Sequence, residues 1–332
     1  MGTAVDACGV IHAGERRRFP LSFQGGASAP LPFSVPGKTW PTTLLERLDN
    51  GEAFLAASAD MLKFRAHVQE IARVDAPVLL LGEGGTGKEL IGRLIHKSSR
   101  RAAHNFASLR CFGASEEALE AELFGFAGET PDTAPRHRKG LLELCHQGTL
   151  FLEQIDELPA RLQARLLDVL DQQQVCRAGD RSTVKADVRI LASSRGDLQR
   201  AMACGKLRQD LYYRLHALVL NVPALRERRE EIPALFEHLL NRLARRHRRR
   251  VPPLAPELLE RCRQHDWPGN FCELENFATR FLLSGGEAQP PVEFLRKPRR
   301  APRELRKHFV DAGNSVPRDS AVALRWRVKS AS

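Results

Sequence analysis

No run of about 18 apolar residues occurs in this sequence, so no segment of it reads as a membrane-crossing helix. The opening stretch, MGTAVDACGVIHAGERRRF, lacks an apolar core of signal-peptide length and carries its charges after its mildly apolar part. It does not read as a secretory leader. Cysteine is sparse: seven residues, scattered, odd in number and none in a CxxC pair. That pattern argues against a disulfide framework and a zinc site, and points to reduced thiols in the cytoplasm. What the chain does have is an excess of positive charge, +11 overall, unevenly spread. From residue 291 to the end there are eleven Lys/Arg against four Asp/Glu. Such a tail suits a nucleic-acid contact, through phosphate neutralisation and counterion release, or simply a solvated disordered end.

With 332 residues, 42% of them apolar and 27% charged, the chain has room for one large or two moderate domains with a real core. Residues 1 to about 50 carry many Gly and Pro without periodicity and read as disordered or weakly ordered. Beyond them, short apolar runs at 77–81, 105–111, 148–152, 187–192 and 217–221 alternate with helical segments at 88–96 and 160–172. Buried strands alternating with helices predict an α/β domain over 51–225, with helices on both faces of a parallel sheet. After Pro223 the strands stop. Three helical segments, at 230–245, 256–265 and 270–283, predict a smaller all-α domain over 226–288, ahead of the basic tail at 289–332.

Between the first strand and its helix stands Gly82-Glu83-Gly84-Gly85-Thr86-Gly87-Lys88-Glu89, a GxxxxGK pattern. Its glycines let backbone N–H groups close around a β-phosphate, and the helix N-terminus adds partial positive charge. Lys88 is placed to reach the β- and γ-phosphates. The Ser or Thr that usually follows the lysine is replaced by Glu89. A Gly-rich turn before an ordinary helix is the plain alternative, which the strand–loop–helix setting disfavours.

That glutamate is itself informative. GEGGTGKEL resembles the GESGTGKE loop of bacterial enhancer-binding proteins, the AAA+ activators of sigma-54 RNA polymerase. The resemblance runs through GASEEALEAELFG (113–125), GTLFLEQIDELP (148–159), LQARLLDVL (162–170), DVRILAS (187–193), RQDLYYRL (208–215), PALRERREEIP (223–233) and WPGN..ELEN (267–276). It covers about 54 to 283 almost without gaps. The resemblance implies an AAA+ P-loop NTPase, a three-layer α/β domain with a helical lid. It also implies ATP and Mg2+ as cofactors, and a ring, typically a hexamer, with each nucleotide at a subunit boundary.

Measured against that family, the chemistry is altered. The strand that ends Asp-Glu in the family ends Glu153-Gln154 here. Glu153 keeps an anion for the metal at the cost of an extra methylene. Gln154 cannot serve as general base, because its amide has no useful proton affinity; losing such a group typically costs about 10²–10⁴-fold in rate. Asp156 is a nearby carboxylate that would offer a substitute base, whereas Glu157 belongs to the family's usual ELP. Arg110 stands where the family has an Asn restraining the catalytic Glu, Arg195 at the sensor I position, and Cys272 where sensor II is usually Arg. The GAFTGA segment that engages sigma-54 reads Glu129-Thr-Pro-Asp-Thr-Ala134, with Pro131 in place of the contacting Phe. Arg208 and Arg214 are retained at the arginine-finger positions, where the resemblance implies a role in a neighbouring subunit's site. The plain alternative has them folding back onto neighbours such as Asp210.

The tail segment 312–329 resembles the start and the basic end of the family's helix-turn-helix, with Arg325, Arg327 and Lys329 suited to phosphates. Pro317 interrupts it. The resulting expectation is a cytoplasmic transcription regulator that binds ATP, self-assembles and hydrolyses poorly. The alternatives are a modulatory subunit of a mixed ring with related AAA+ chains, an ATPase using Asp156, and a DNA-binding regulator working with ordinary RNA polymerase.

Overall fold

The computed structural model describes residues 34–35, 38–39, 44–48, 52–130, 133–179 and 182–288. Five strands form one parallel sheet: β1 (Val78–Leu81), β2 (Phe106–Arg110), β3 (Thr149–Glu153), β4 (Arg189–Ser194) and β5 (Leu218–Asn221). They lie side by side in the order β5-β1-β4-β3-β2. Because side chains alternate along a strand, each apolar run feeds two cores. Leu150 and Leu152 of β3 enter the core beneath α3 (Glu116–Phe124), α4 (Ala160–Gln172) and α5 (Gln209–Leu215). Phe151 points the other way, into the core shared with α1 (Ala59–Arg73) and α2 (Lys88–Lys97). A Cβ on Gly92 would lie 2.7 Å from the Phe151 ring, so only glycine lets α2 rest this closely on the sheet. The three layers expected from the apolar runs are therefore present.

The buried Arg189 ties the far end of α1 to the sheet. Its guanidinium donates to the carbonyls of Ile71, Ala72 and Ala76 at 3.0–3.1 Å, at and just beyond the helix end, where carbonyls run short of intrahelical donors; Ile71 also accepts from the Val74 N–H at 3.2 Å.

Behind the sheet domain, α6 (Ile232–His247), α7 (Pro256–Gln264) and α8 (Asn270–Leu283) enclose a third core. Phe236 and Phe277 stack at 5.2 Å between ring centroids, and the fully buried Trp267 donates its indole N–H to the Cys262 carbonyl at 2.7 Å. Among the described residues no helix is long and apolar enough to cross a membrane.

Within residues 1–50, expected to be disordered or weakly ordered, the described residues include short strands. Leu44–Arg47 pairs antiparallel with Ala53–Ala56, and Ser34–Val35 pairs with Lys38–Thr39. The first of these hairpins joins two cores. Phe54 and Ala56 enter the α1/α2 core, while Leu55, one residue out of phase, enters the lid core. A further unanticipated hairpin pairs Gly125–Thr130 with Thr133–Lys139. The basic tail at 289–332, with Arg325, Arg327 and Lys329, lies outside the described residues, as does Pro131.

The sheet and lid domains meet at a 3-10 segment, Leu225–Glu231, whose last residue is fully buried. One carboxylate oxygen of Glu231 accepts hydrogen bonds from the Ala57 N–H at 2.6 Å, the Ser58 N–H at 2.9 Å and the Ser58 hydroxyl at 3.1 Å. Ser58 in turn caps α1 through the Met61 N–H. Removing the carboxylate strands partly buried donors at a junction of hairpin, helix and lid. Glu231→Ala is expected to destabilise the fold by ~3 kcal/mol, read as an earlier urea-unfolding midpoint. An unchanged midpoint would contradict this role.

Candidate functional site

The glycine-rich loop leaves β1 at Gly82 and enters α2 at Lys88. Two of its glycines, Gly85 and Gly87, have φ of 73° and 86°, the left-handed region that side chains disfavour. Lys88 is folded into the loop, its Nζ donating to the Gly82 and Glu83 carbonyls at 2.7 Å each. The Thr86 hydroxyl donates to the Glu83 carbonyl at 2.9 Å. Burial lowers the Lys88 pKa to about 8, with Arg195 adding to the depression and Glu153, Asp156 and Glu83 opposing it. Glu89 turns to α2 and β2, accepting from Arg93 at 2.7 Å and from the Ser108 hydroxyl at 2.9 Å.

The lid holds this loop directly. The Phe271 N–H donates to the Gly85 carbonyl at 2.9 Å. Asn270, fully buried, accepts from the Leu225 N–H at 2.7 Å and donates to the Gly84 carbonyl at 3.0 Å and the Glu83 carboxylate at 3.1 Å. Arg226 pairs with the same carboxylate at 2.7 Å, and these two partners hold the Glu83 pKa down to about 2. The sequence alone assigns no part to Asn270 or Arg226. The signal available was WPGN followed by helix, since a non-glycine residue at φ 52°, as at Asn270, suits Asn better than most.

Between loop, hairpin and lid lies a cleft of about 460 Å³. One part is lined by Phe54, Leu55 and Met61, the loop side by Gly85 to Glu89, and the sheet edge by Arg110, Glu153 and Arg195. Arg228 also lines it; this buried guanidinium lies 4.5 Å over the Phe271 ring, with its Nε and one terminal nitrogen lacking hydrogen-bond partners among the described residues. Burial lowers its pKa to about 10. Cys272 lines the cleft from the lid.

At the sheet edge the altered residues converge. Arg110 Nε lies 3.6 Å from one oxygen of Glu153, and an Arg195 terminal nitrogen lies 3.5 Å from the other. Both carboxylate oxygens thus face guanidinium groups, an arrangement that does not fit a divalent cation seeking an open anionic ligand. The next residue, Gln154, takes φ 55°, and its N–H reaches the Ser193 hydroxyl at 3.3 Å. Its side-chain oxygen and Asp156 Oδ1 are both buried without hydrogen-bond partners among the described residues. Neither Gln154 nor Asp156 is among the residues lining the cleft.

Arg208 and Arg214, at the start and the last turn of α5, are not brought to this cleft. Arg208 grips Asp210 at 2.7 and 3.1 Å. Arg214 reaches Asp171 and the Leu170 carbonyl, each at 3.1 Å. Within the altered segment 129–134, Thr130 stands opposite Thr133 in the two-stranded arm.

A family described as Sigma-54 interaction domain matches residues 54–221, and the AAA+ ATPase lid domain matches 226–306. The chain belongs to the sigma-54 interaction domain family. Among curated proteins, transcriptional regulatory protein ZraR of Salmonella typhimurium is 38% identical over 233 residues, covering 70% of this chain and 53% of ZraR. The C4-dicarboxylate transport transcriptional regulatory protein DctD of Rhizobium meliloti is 38% identical over 238 residues, covering 72% and 52%. Among solved structures, NtrX from Brucella abortus is 32% identical with a TM-score of 0.66, covering 70% of this chain and 53% of NtrX. NtrX has also been solved in complex with ATP, at a TM-score of 0.65 and covering 72% and 54%. This family member therefore spans about half the length of the relatives it matches.

The lid–loop contact is steric as well as hydrogen-bonded. A Cβ on Gly85 would sit 2.5 Å from the Gly269 carbonyl oxygen, on a backbone whose φ already disfavours it. Gly85→Ala is expected to push the lid off the loop and cost ~2–3 kcal/mol, seen as a lower thermal midpoint. Wild-type stability in this variant would show that the two surfaces are not in contact.

Proposed function

We propose that this chain is an ATP-binding AAA+ regulator of transcription that holds its nucleotide and hydrolyses it slowly. The observation that carries the reading is one cleft in which the buried Lys88 of the loop, the apolar hairpin residues Phe54 and Leu55, and the lid all meet. The apolar part suits a base, and the loop suits phosphates. The related NtrX, solved in complex with ATP, supports the same ligand. Membership of the family supports a regulatory role, self-association and an encounter with sigma factor or RNA polymerase in the cytoplasm.

Slow hydrolysis follows from Gln154. Its amide cannot take a proton from an attacking water, and its carbonyl oxygen is buried behind the cleft wall. Glu153, bracketed by two guanidiniums, is poorly placed to substitute. Calorimetric titration should give a saturable heat with ATP alongside turnover far below that of ordinary ATPases. Gln154→Glu should raise turnover at least ~10-fold; equal rates in the two proteins would remove the amide from the explanation. The alternative base, Asp156, has an unpartnered buried oxygen in its favour. Asp156→Ala with unchanged turnover would eliminate it.

The placement of Arg208 and Arg214 supports a second reading. Both stand at α5, outside their own cleft, and among the described residues they pair with exposed acidic neighbours and a main-chain carbonyl. A modulatory subunit would lend such arginines to a competent relative in a mixed ring while its own site stays idle. Co-purification with that relative supports this reading, whereas a strict homo-oligomer argues against it. DNA contact through the basic tail is an additional element of the proposal, tested by deleting residues 291–332 and measuring DNA affinity.

Binding should depend on pH in a defined sense. Free Lys88 loses its proton near pH 8, and a bound polyphosphate would raise that value. ATP affinity is therefore expected to be flat below pH 8. Above it, affinity should fall by as much as ~10-fold per pH unit until the raised value is reached. An affinity constant from pH 7 to 10 would show that Lys88 does not meet the phosphates.

A further inference from the structure

The residues around Glu153 carry a more specific statement about the ligand, which rests on the nucleotide reading above. Beside the loop lysine stand two arginines, Arg110 at the end of β2 and Arg195 just past the end of β4. Each faces a different oxygen of Glu153, at 3.6 and 3.5 Å. Arg195 lies along the loop itself: a Cβ on Gly84 would be 3.6 Å from its Cδ, and its charge is felt by Lys88. Its guanidinium also lies 5.5 Å over the Phe112 ring, which helps hold it at the cleft.

Glu52 also lines the cleft, beside Ala53 and Phe54, and four further carboxylates are committed or set back. Glu89 is held by Arg93 and Ser108, Glu83 by Arg226 and Asn270, and Glu275 by Arg242 at 2.6 Å. Asp156 influences Lys88 through space but does not line the cleft. Along the loop side, Lys88, Arg110 and Arg195 thus oppose Glu153. Among the described residues no group of three or more His, Cys, Asp or Glu side chains is arranged to hold a metal ion. A divalent cation entering here would meet repulsion from three cations for one carboxylate already flanked by two guanidiniums. A polyanion would meet attraction from all three, and guanidiniums bind phosphate oxygens through paired, charge-assisted hydrogen bonds.

We propose that Arg110 and Arg195 take the place of the divalent cation, so that the cleft accepts a nucleoside triphosphate in its metal-free form. Both side chains are about half exposed, leaving them free to swing from Glu153 onto the phosphates.

The test is calorimetric titration of the full chain with ATP, once in excess EDTA and once in excess Mg2+. The expected result is binding in EDTA at least as tight as in Mg2+. In the double variant Arg110→Asn, Arg195→Asn, affinity in EDTA should fall by about tenfold or more, while affinity in Mg2+ falls less. A wild-type affinity that drops tenfold or more on chelation would overturn the proposal and leave ATP binding intact. Equal losses in both media in the double variant would also overturn it, since the arginines would then not be replacing the ion. No heat in either medium would overturn nucleotide binding itself, and this proposal with it.

Discussion

The site depends on the grip of the lid turn on the glycine-rich loop. Asn270 is the centre of that grip, fully buried and bonded at once to the loop, to Glu83 and to the Leu225 N–H where the lid begins. A buried amide with each of these bonds made is rigid, and one left unmade costs ~1–3 kcal/mol. Because Glu83 also binds Arg226, the loop, the interdomain segment and the first turn of α8 are tied together through one carboxylate. The cleft exists because the lid is held there, with the hairpin strand Ala53–Ala56 sharing its alternate side chains between both domains.

On the proposed reading, the charges within that frame favour holding an anion over cutting it. Lys88, Arg110 and Arg195 converge beside the loop, and the carboxylate among them has a guanidinium at each oxygen. Phosphoryl transfer to water needs an attacking oxygen activated and aligned as well as charge neutralised on the phosphate. This wall supplies the second requirement amply. For the first, the residue after Glu153 is an amide, Gln154, which does not line the cleft and whose side-chain oxygen is buried.

Much of this was legible in the sequence, for physical reasons. Parallel strands buried on both faces must be continuous apolar runs, so 77–81, 148–152 and 187–192 announced themselves. A loop that wraps backbone around a phosphate must be glycine-rich, so 82–88 did too. What escaped detection were elements whose signal is short or non-local. The Leu44–Arg47 strand is four residues long and follows a Gly- and Pro-rich stretch of sequence. Its value lies in bridging two cores, which no local pattern records. Asn270 looks like one polar residue in a turn until the chain brings Glu83 to it across 187 positions. Arg110 and Arg195 were each visible as departures from the family. Only the pairing of β2 and β4 on either side of β3 places both against Glu153.

The central claim is that a triphosphate enters this cleft and stays whole. The most direct measurement mixes labelled ATP with an excess of protein, separates the complex at successive times and identifies the bound nucleotide. ATP recovered intact over many minutes is the predicted result. Bound ADP appearing at the ~10 s⁻¹ typical of enzymes would contradict the account.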